Sequence, residues 1–317
     1  MTRVSVVIPC YNSSRFLEEC LDAVSAQRRW PDEVILVDDG STDDSARVAG
    51  AYDWVKVVRL ERNSGIGAAR NAGIAEATGD LIAFLDADDI WKPSHLETVL
   101  GLLEVSPEAG LAFSLVRSFG ERQNLWEAAI PPHQPVDAFW ESWRRTVAQP
   151  SSVIVWRHVL QEIGGFDRTI RCVEDFECWL RIAKVRPFIC THEVTVWYRK
   201  YPTQTSRSVE LCRRSEYAVR NRVLRKARAE DPPEFVSRLE REFFACWESR
   251  CREAWHARDP QLFDLYLELG ESVPGSGKSL SVWRWRRLLL PVVRLSDRIE
   301  WVKGFIKTMP IIRKLVP

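Results

Sequence analysis

Asp86-Ala-Asp88, with Asp89 beside it, places three carboxylates within four residues, directly after the apolar run 81–85. Crowded carboxylates raise the cost of ionising one another. A divalent cation relieves that cost, and oxygen ligands suit Mg²⁺ or Mn²⁺. Such an ion commonly also binds substrate phosphates; the bland reading is a solvated acidic turn that ends a strand. Asp38-Asp39 ends a second apolar run. A carboxylate there can accept from a nucleobase N–H, or merely satisfy backbone donors at a helix start. Arg70 carries a planar fork that suits a phosphate, against a surface salt bridge worth about 1 kcal/mol or less. Glu174-Asp175 opens an amphipathic stretch, where the helix dipole favours acidic groups and would keep Asp175 ionised, as a general base must be.

The elements that must position these groups are β–α units. Short apolar runs at 4–8, 34–37, 55–58 and 81–85 read as strands, and amphipathic stretches between them as helices. Phe16, Leu17, Cys20, Leu21 and Val24 share one stripe, as do Leu96, Val99, Leu100 and Leu103 after Pro93. Ser41-x-x-Asp44 has capping-box spacing for the helix after the second strand. Four such units with short links predict a parallel, doubly wound α/β sheet whose strands are apolar throughout. Ligands in such sheets sit beyond the carboxyl ends of the strands. Those ends hold residues 9–12, 38–41, 61–65 and 86–89. Further strands are expected at 152–156 and 194–198, with a helix over 173–185. From about residue 210 helical periodicity takes over, so the expected domains are 1–208 and a helical extension, 209–317.

Composition excludes other classes. The 317 residues are 45% hydrophobic and 28% charged, with net charge +1, ordinary for a globular chain. Neither the N-terminal apolar run nor any in the tail approaches the ~20 residues of a membrane span, so a cytosolic protein is expected. The eight cysteines show no CxxC spacing, and all are expected reduced and mostly buried. Residues 280–317 carry nine Lys/Arg against two Asp/Glu, with Trp283, Trp285 and Trp301 among them. A basic aromatic helix can lie on an anionic bilayer, giving peripheral contact at the inner face of a membrane, or can pack on the protein with its cations in water. No nucleic-acid partner is expected of a near-neutral chain. Gly65-Ile-Gly67 lacks the third glycine of a dinucleotide fingerprint, where Arg70 stands. Pro274-Gly-Ser-Gly-Lys-Ser279 lacks the first glycine of a P-loop and follows a helix, so it reads as a linker.

Residues 4–12 (VSVVIPCYN), 37–43 (VDDGSTD), Asn63-x-Gly65 with Ala69-Arg-Asn-x-Gly73, and 79–89 (GDLIAFLDADD) together resemble the family 2 glycosyltransferases of the GT-A fold. Gly164-Gly-Phe-Asp167 followed by Glu174-Asp175 and Trp179 is similar to the acceptor half of that family. The resemblance covers about residues 3–208. It implies a GT-A domain followed by an α-helical C-terminal region, and an enzyme moving a sugar from a nucleoside-diphosphate donor, UDP expected, to an acceptor hydroxyl on a glycan or lipid-linked saccharide. It further implies inversion and assistance from Mg²⁺ or Mn²⁺. By the same resemblance Pro9, Tyr11, Asn12, Asp39, Arg70 and Asp86 bind the donor, Asp88 and Asp86 the metal, and Asp175 is the catalytic base. Glu174 and Trp179 lie on the acceptor side. Members often carry a histidine where this chain has Tyr201, and a neutral tyrosine is a poor Mg²⁺ ligand; Arg199 or Lys200 would then supply charge. A non-catalytic sugar-nucleotide-binding or scaffold protein is one alternative. A sugar nucleotidylyltransferase is another, although its glycine-rich first loop is missing.

Overall fold

The computed structural model describes residues 2–121, 123–126, 129–204 and 207–296. They form two compact units, one up to Ser208 and one from Val209 onward.

The first unit is built on eight strands: β1 Val4–Cys10, β2 Glu33–Asp38, β3 Val55–Arg59, β4 Leu81–Phe84, β5 Ile90–Trp91, β6 Leu111–Gly120, β7 Val153–Trp156 and β8 Phe188–Lys200. They form one sheet in the order β3-β2-β1-β4-β7-β6-β8-β5. The β3-β2-β1-β4 half is parallel, as the β–α pattern predicts. Beyond it β7 runs antiparallel to both β4 and β6, while β6 and β8 pair in parallel, so the whole sheet is mixed. The strands β5 and β6 were not expected from sequence. β1 and β4 are buried along their full length, the mark of strands covered on both faces. β3 is an edge strand and departs from the expectation of uniformly apolar, buried strands: Val57 is 38% exposed.

Among the described residues the α-helices of this unit are α1 Ser14–Ser25, α2 Ser45–Ala49, α3 Ile66–Glu76, α4 His95–Val105, α5 Phe139–Arg144, α6 Arg157–Glu162 and α7 Glu174–Ala183. Leu17, Cys20, Leu21 and Val24 of α1 and Leu96, Val99, Leu100 and Leu103 of α4 share one apolar core with Val6, Ile8, Leu36 and Ala83 of the sheet. Asp44, not Ser41, is the N-cap residue of α2; Ser41 instead accepts the Asn12 N–H at 3.0 Å. In register Cys10 lies opposite Asp38, and Val7 opposite Phe84, so the loops after β1, β2 and β4 open on one edge.

Helix α3 lies so close to the sheet that a Cβ on Gly73 would stand 2.4 Å from Cγ1 of Val7. Gly73→Ala should therefore lower stability by about 1–3 kcal/mol through overpacking, read as a drop in melting temperature. An unchanged melting point would mean that the helix lifts away at no cost.

The second unit is helical: α8 Val209–Glu230, α9 Pro233–His256, α10 Pro260–Gly270 and α11 Gly277–Ser296. Arg213, Arg220 and Arg250 converge on Glu216 at 2.8–2.9 Å, and these cations hold its carboxyl down at about 2 despite its burial. At the start of the basic tail Trp283 is 4% exposed, Arg284 pairs with Glu271 and Arg287 with Asp264. Expected tail contacts of Trp301, Lys303, Lys307, Arg313 and Lys314 lie outside the described residues. Among the described residues no helix is long and apolar enough to cross a membrane. Cys172 and Cys212 are each in a disulfide, which corrects the expectation that all eight cysteines are reduced. Disulfides follow Cα separation in the folded chain, which spacing along the sequence does not reveal.

Candidate functional site

The loops at the shared sheet edge are stitched together by short polar side chains. Pro9 lies in buried β1, and the chain turns at Asn12, whose φ is +51°. Asn12 tolerates that region better than most residues. Its side-chain oxygen accepts the Thr42 N–H at 2.8 Å, tying the β1 loop to the β2 loop. Tyr11, just beyond the strand end, is 45% exposed and presents an aromatic face to solvent. Asp39 is 2% exposed, and its two oxygens accept the N–H groups of Ser64 and Gly65, each at 2.8 Å. Asp39 thus holds the loop after β3; a nucleobase would have to use the lone pairs that remain. Burial raises its pKa.

The three carboxylates after β4 play three different parts. Asp89 is fully buried; it accepts Ser151 Oγ at 2.6 Å and the Arg199 N–H at 2.9 Å, so it joins the loop before β7 to β8. Burial and the charges of Asp88 and Asp86 push its pKa well up. Asp88 Oδ2 accepts the Tyr201 hydroxyl at 2.9 Å and Gln204 Nε2 at 3.3 Å. Burial, then Asp86, raises the Asp88 pKa as well. Asp86 Oδ1 accepts Arg70 Nη2 at 2.7 Å, and its backbone N–H donates to Ser151 Oγ at 3.1 Å.

Arg70 is 1% exposed and bridges two acids: Asp86 on one side and Glu174 Oε1, at 2.5 Å, on the other. Its guanidinium lies 5.3 Å from the centre of the Phe166 ring. Arg70, expected to bind the donor, is fully buried with both terminal nitrogens on carboxylates, and its buried Nε has no hydrogen-bond partner among the described residues. Glu174, expected on the acceptor side, is 7% exposed and serves as the counter-ion of Arg70. Trp179, expected there too, is 1% exposed; its Nε1 donates to the Ala148 carbonyl and its ring packs on Phe166, so it belongs to the core.

Asp175 stands in the first turn of α7, next to Glu174 and half-buried. The residue before this turn, Val173, has φ +64° and ψ +29°. A β-branched residue held in the left-handed region stores strain of order 1–3 kcal/mol, a common mark of functional turns. Burial, then the charge of Glu174, pushes the Asp175 carboxyl up to about 7. The helix dipole expected to keep it ionised is outweighed.

Tyr201 faces Asp88 and packs on Phe16 with ring centres 4.9 Å apart. Burial and the neighbouring carboxylates push its pKa up, so it stays a hydroxyl donor. Arg199, expected as a spare charge, instead pairs with Glu19 at 2.7 Å and lies over the Phe16 and Phe119 rings. Ser151 and Gln204 complete this network, and no sequence signal marks them: each is a lone polar residue outside any motif. Among the described residues no three His, Cys, Asp or Glu side chains are grouped to hold a metal by themselves. Asp86 and Asp88 still fit a hard cation: both offer oxygen, and the side-chain bonds at Asp88 converge on Oδ2, that at Asp86 on Oδ1. The second oxygens are suited to Mg²⁺ or Mn²⁺, which would need further ligands from substrate and water.

The sequence model of the family described as Glycosyl transferase family 2 matches residues 5–164. An uncharacterized glycosyltransferase of Nostoc sp., alr2836, is 41% identical over 118 residues, which is 36% of this chain and 36% of the relative. The uncharacterized glycosyltransferase YwdF of Bacillus subtilis is 33% identical over 185 residues, or 57% of this chain and 68% of the relative. The match thus spans about a third of the Nostoc protein's length and about two thirds of the Bacillus protein's. Among solved structures, S. aureus TarS 1-349 in complex with UDP-GlcNAc aligns with a TM-score of 0.71 at 19% identity, covering 93% of this chain and 91% of that one.

Proposed function

The chain belongs to glycosyl transferase family 2 and has the GT-A fold, and from that premise we propose that it transfers a sugar from a UDP-sugar to an acceptor hydroxyl on a glycan or lipid-linked saccharide, with inversion. One observation carries this reading: the Arg70 bridge joins Asp86, at the donor edge of the sheet, to Glu174, the neighbour of Asp175 on α7. A donor-side acid and a candidate base thereby belong to one fixed unit. The choice of UDP takes support from the TarS fragment, solved with UDP-GlcNAc.

In this reading Tyr11 stacks on the base and Asp39 accepts from it, while Pro9 and Asn12 shape the pocket floor. Asp88 and Asp86 would hold Mg²⁺ or Mn²⁺, which when bound supplies Lewis-acid stabilisation of the departing diphosphate. Asp175 takes the proton of the acceptor hydroxyl. That oxygen attacks the anomeric carbon from the face opposite the diphosphate, the bond to the diphosphate oxygen breaks, and no covalent sugar–enzyme intermediate forms. A carboxyl titrating near 7 is well matched to this task, since a base works best with a pKa close to the working pH. Tyr201 and Gln204 orient Asp88 so that its second oxygen faces the substrate.

Asp88→Ala should abolish Mn²⁺-dependent UDP binding, seen as loss of the heat of titration. Unchanged titration would remove Asp88 from the donor site. Transfer or slow hydrolysis of a panel of UDP-sugars by purified protein tests the activity itself; nucleotide binding without either would favour a scaffold role.

A further inference from the structure

We propose that the helical unit carries a second binding site, for a phosphoryl group, in the groove between α9 and α11. The groove has a volume of about 430 Å³. Fourfold spacing puts Glu248, Arg252 and His256 on one face of α9, and Lys278, Val282 and Arg286 on one face of α11. The two helices therefore bring three permanent cations together against one carboxylate.

Other cation groups of the unit are met by acids. Where Arg213, Arg220 and Arg250 meet, Glu216 sits at their centre. On α11 itself, Arg284 and Arg287 are matched by Glu271 and Asp264. In the groove Glu248 is met by Arg252 at 3.5 Å, and among the described residues Lys278 and Arg286 pair with no carboxylate. The Arg286 guanidinium is held 4.5 Å from the centre of the Trp283 ring, and its buried Nε has no hydrogen-bond partner. Burial and the nearby Arg252 charge lower the Arg286 pKa, the response of a cation short of compensation.

An anion in the groove would do for these cations what Glu216 does for its own three. Phosphate suits the donor set better than a carboxylate. Two guanidinium forks, the Lys278 ammonium and the Ser279 hydroxyl can address several non-bridging oxygens at once. Lys278 and Ser279 come from the Gly-Ser-Gly-Lys-Ser stretch, which lacks the strand and first glycine of a P-loop but still delivers its lysine and serine to a cationic groove. The phosphoryl group can belong to a lipid headgroup or to a free phosphate.

The test uses the full-length chain. Inorganic pyrophosphate is titrated in EDTA, so that the acid-rich edge after β4, without a cation, repels it. In a second arm the chain is co-sedimented with phosphatidylcholine vesicles containing about a third phosphatidylglycerol. Saturable pyrophosphate binding that Lys278→Gln/Arg286→Gln weakens at least about tenfold supports the site; Arg252→Gln, on the exposed rim, should weaken it in the same direction if the double variant does not fold. Sedimentation lost in the same variant assigns the phosphate to lipid; loss in the pyrophosphate arm alone assigns it to a soluble ligand. Arg284→Gln/Arg287→Gln removes the same charge from α11 outside the groove and should change neither arm. Equal losses in that control, or no binding in either arm, would overturn the proposal.

Discussion

Asp175→Asn should lower kcat by at least ~10² while leaving UDP binding with Mn²⁺ within about threefold of the parent. The substitution keeps the shape of the side chain and removes its basicity, so it separates proton transfer from packing. The parent's kcat/KM should climb about tenfold per pH unit on the acid side of 7 and level off above, because the carboxyl titrates at about 7 and only its ionised form takes a proton. Stability should move the other way. A folded-state value above the ordinary 3.8 means that ionisation works against folding, so the stability present below 3.8 is lost as pH rises through about 7. Asn carries no such charge, and above pH 7 the variant should melt no lower than the parent. Near-parental turnover in the Asn variant would remove Asp175 from the role of base.

The shared loop edge was legible because its residues sit where topology puts them. A βα loop must leave the strand at its carboxyl end, so Asp39, Asp86 and Asp88 could be assigned to one edge from apolar runs alone. The helical second unit was legible from periodicity for the same reason: a 3.6-residue stripe reports local geometry. Pairings between distant segments left no such trace. Glu174 and Trp179 sit in the stretch that resembles an acceptor half, yet their partners, Arg70 and the Ala148 carbonyl, lie 104 and 31 residues away. Nothing in the spacing tells a buried counter-ion from an acceptor contact. Likewise Ser151 touches both Asp86 and Asp89 from a loop 65 and 62 residues distant. The mixed half of the sheet escaped for a related reason, since the antiparallel insertion of β7 between β4 and β6 depends on partners rather than on any one strand's pattern.

Arg70 is where fold and chemistry are hardest to separate, and Arg70→Met is the variant that separates them. Met fills much of the volume but leaves Asp86 and Glu174 facing each other without their shared cation. Removing one member of a buried ion pair costs about 3–5 kcal/mol, because the charge left behind is unsolvated. For a unit of this size that is a fall in melting temperature of roughly 10 °C. Activity should fall further than stability explains, since Asp86 loses its anchor on the donor side and α7 its tie to the sheet. The pH profile distinguishes this from simple unfolding. Arg70 lowers the Asp175 pKa through its charge, so its loss should move the acid limb of kcat/KM to higher pH. Arg70→Met/Glu174→Gln should recover part of the melting temperature, because one orphaned carboxylate is gone, without restoring kcat. Arg70→Lys, able to reach one acid but not fork to both, should fall between. A double variant that regained full turnover would show that the bridge only stabilises the fold, and that Asp86 and Asp175 keep their places without it.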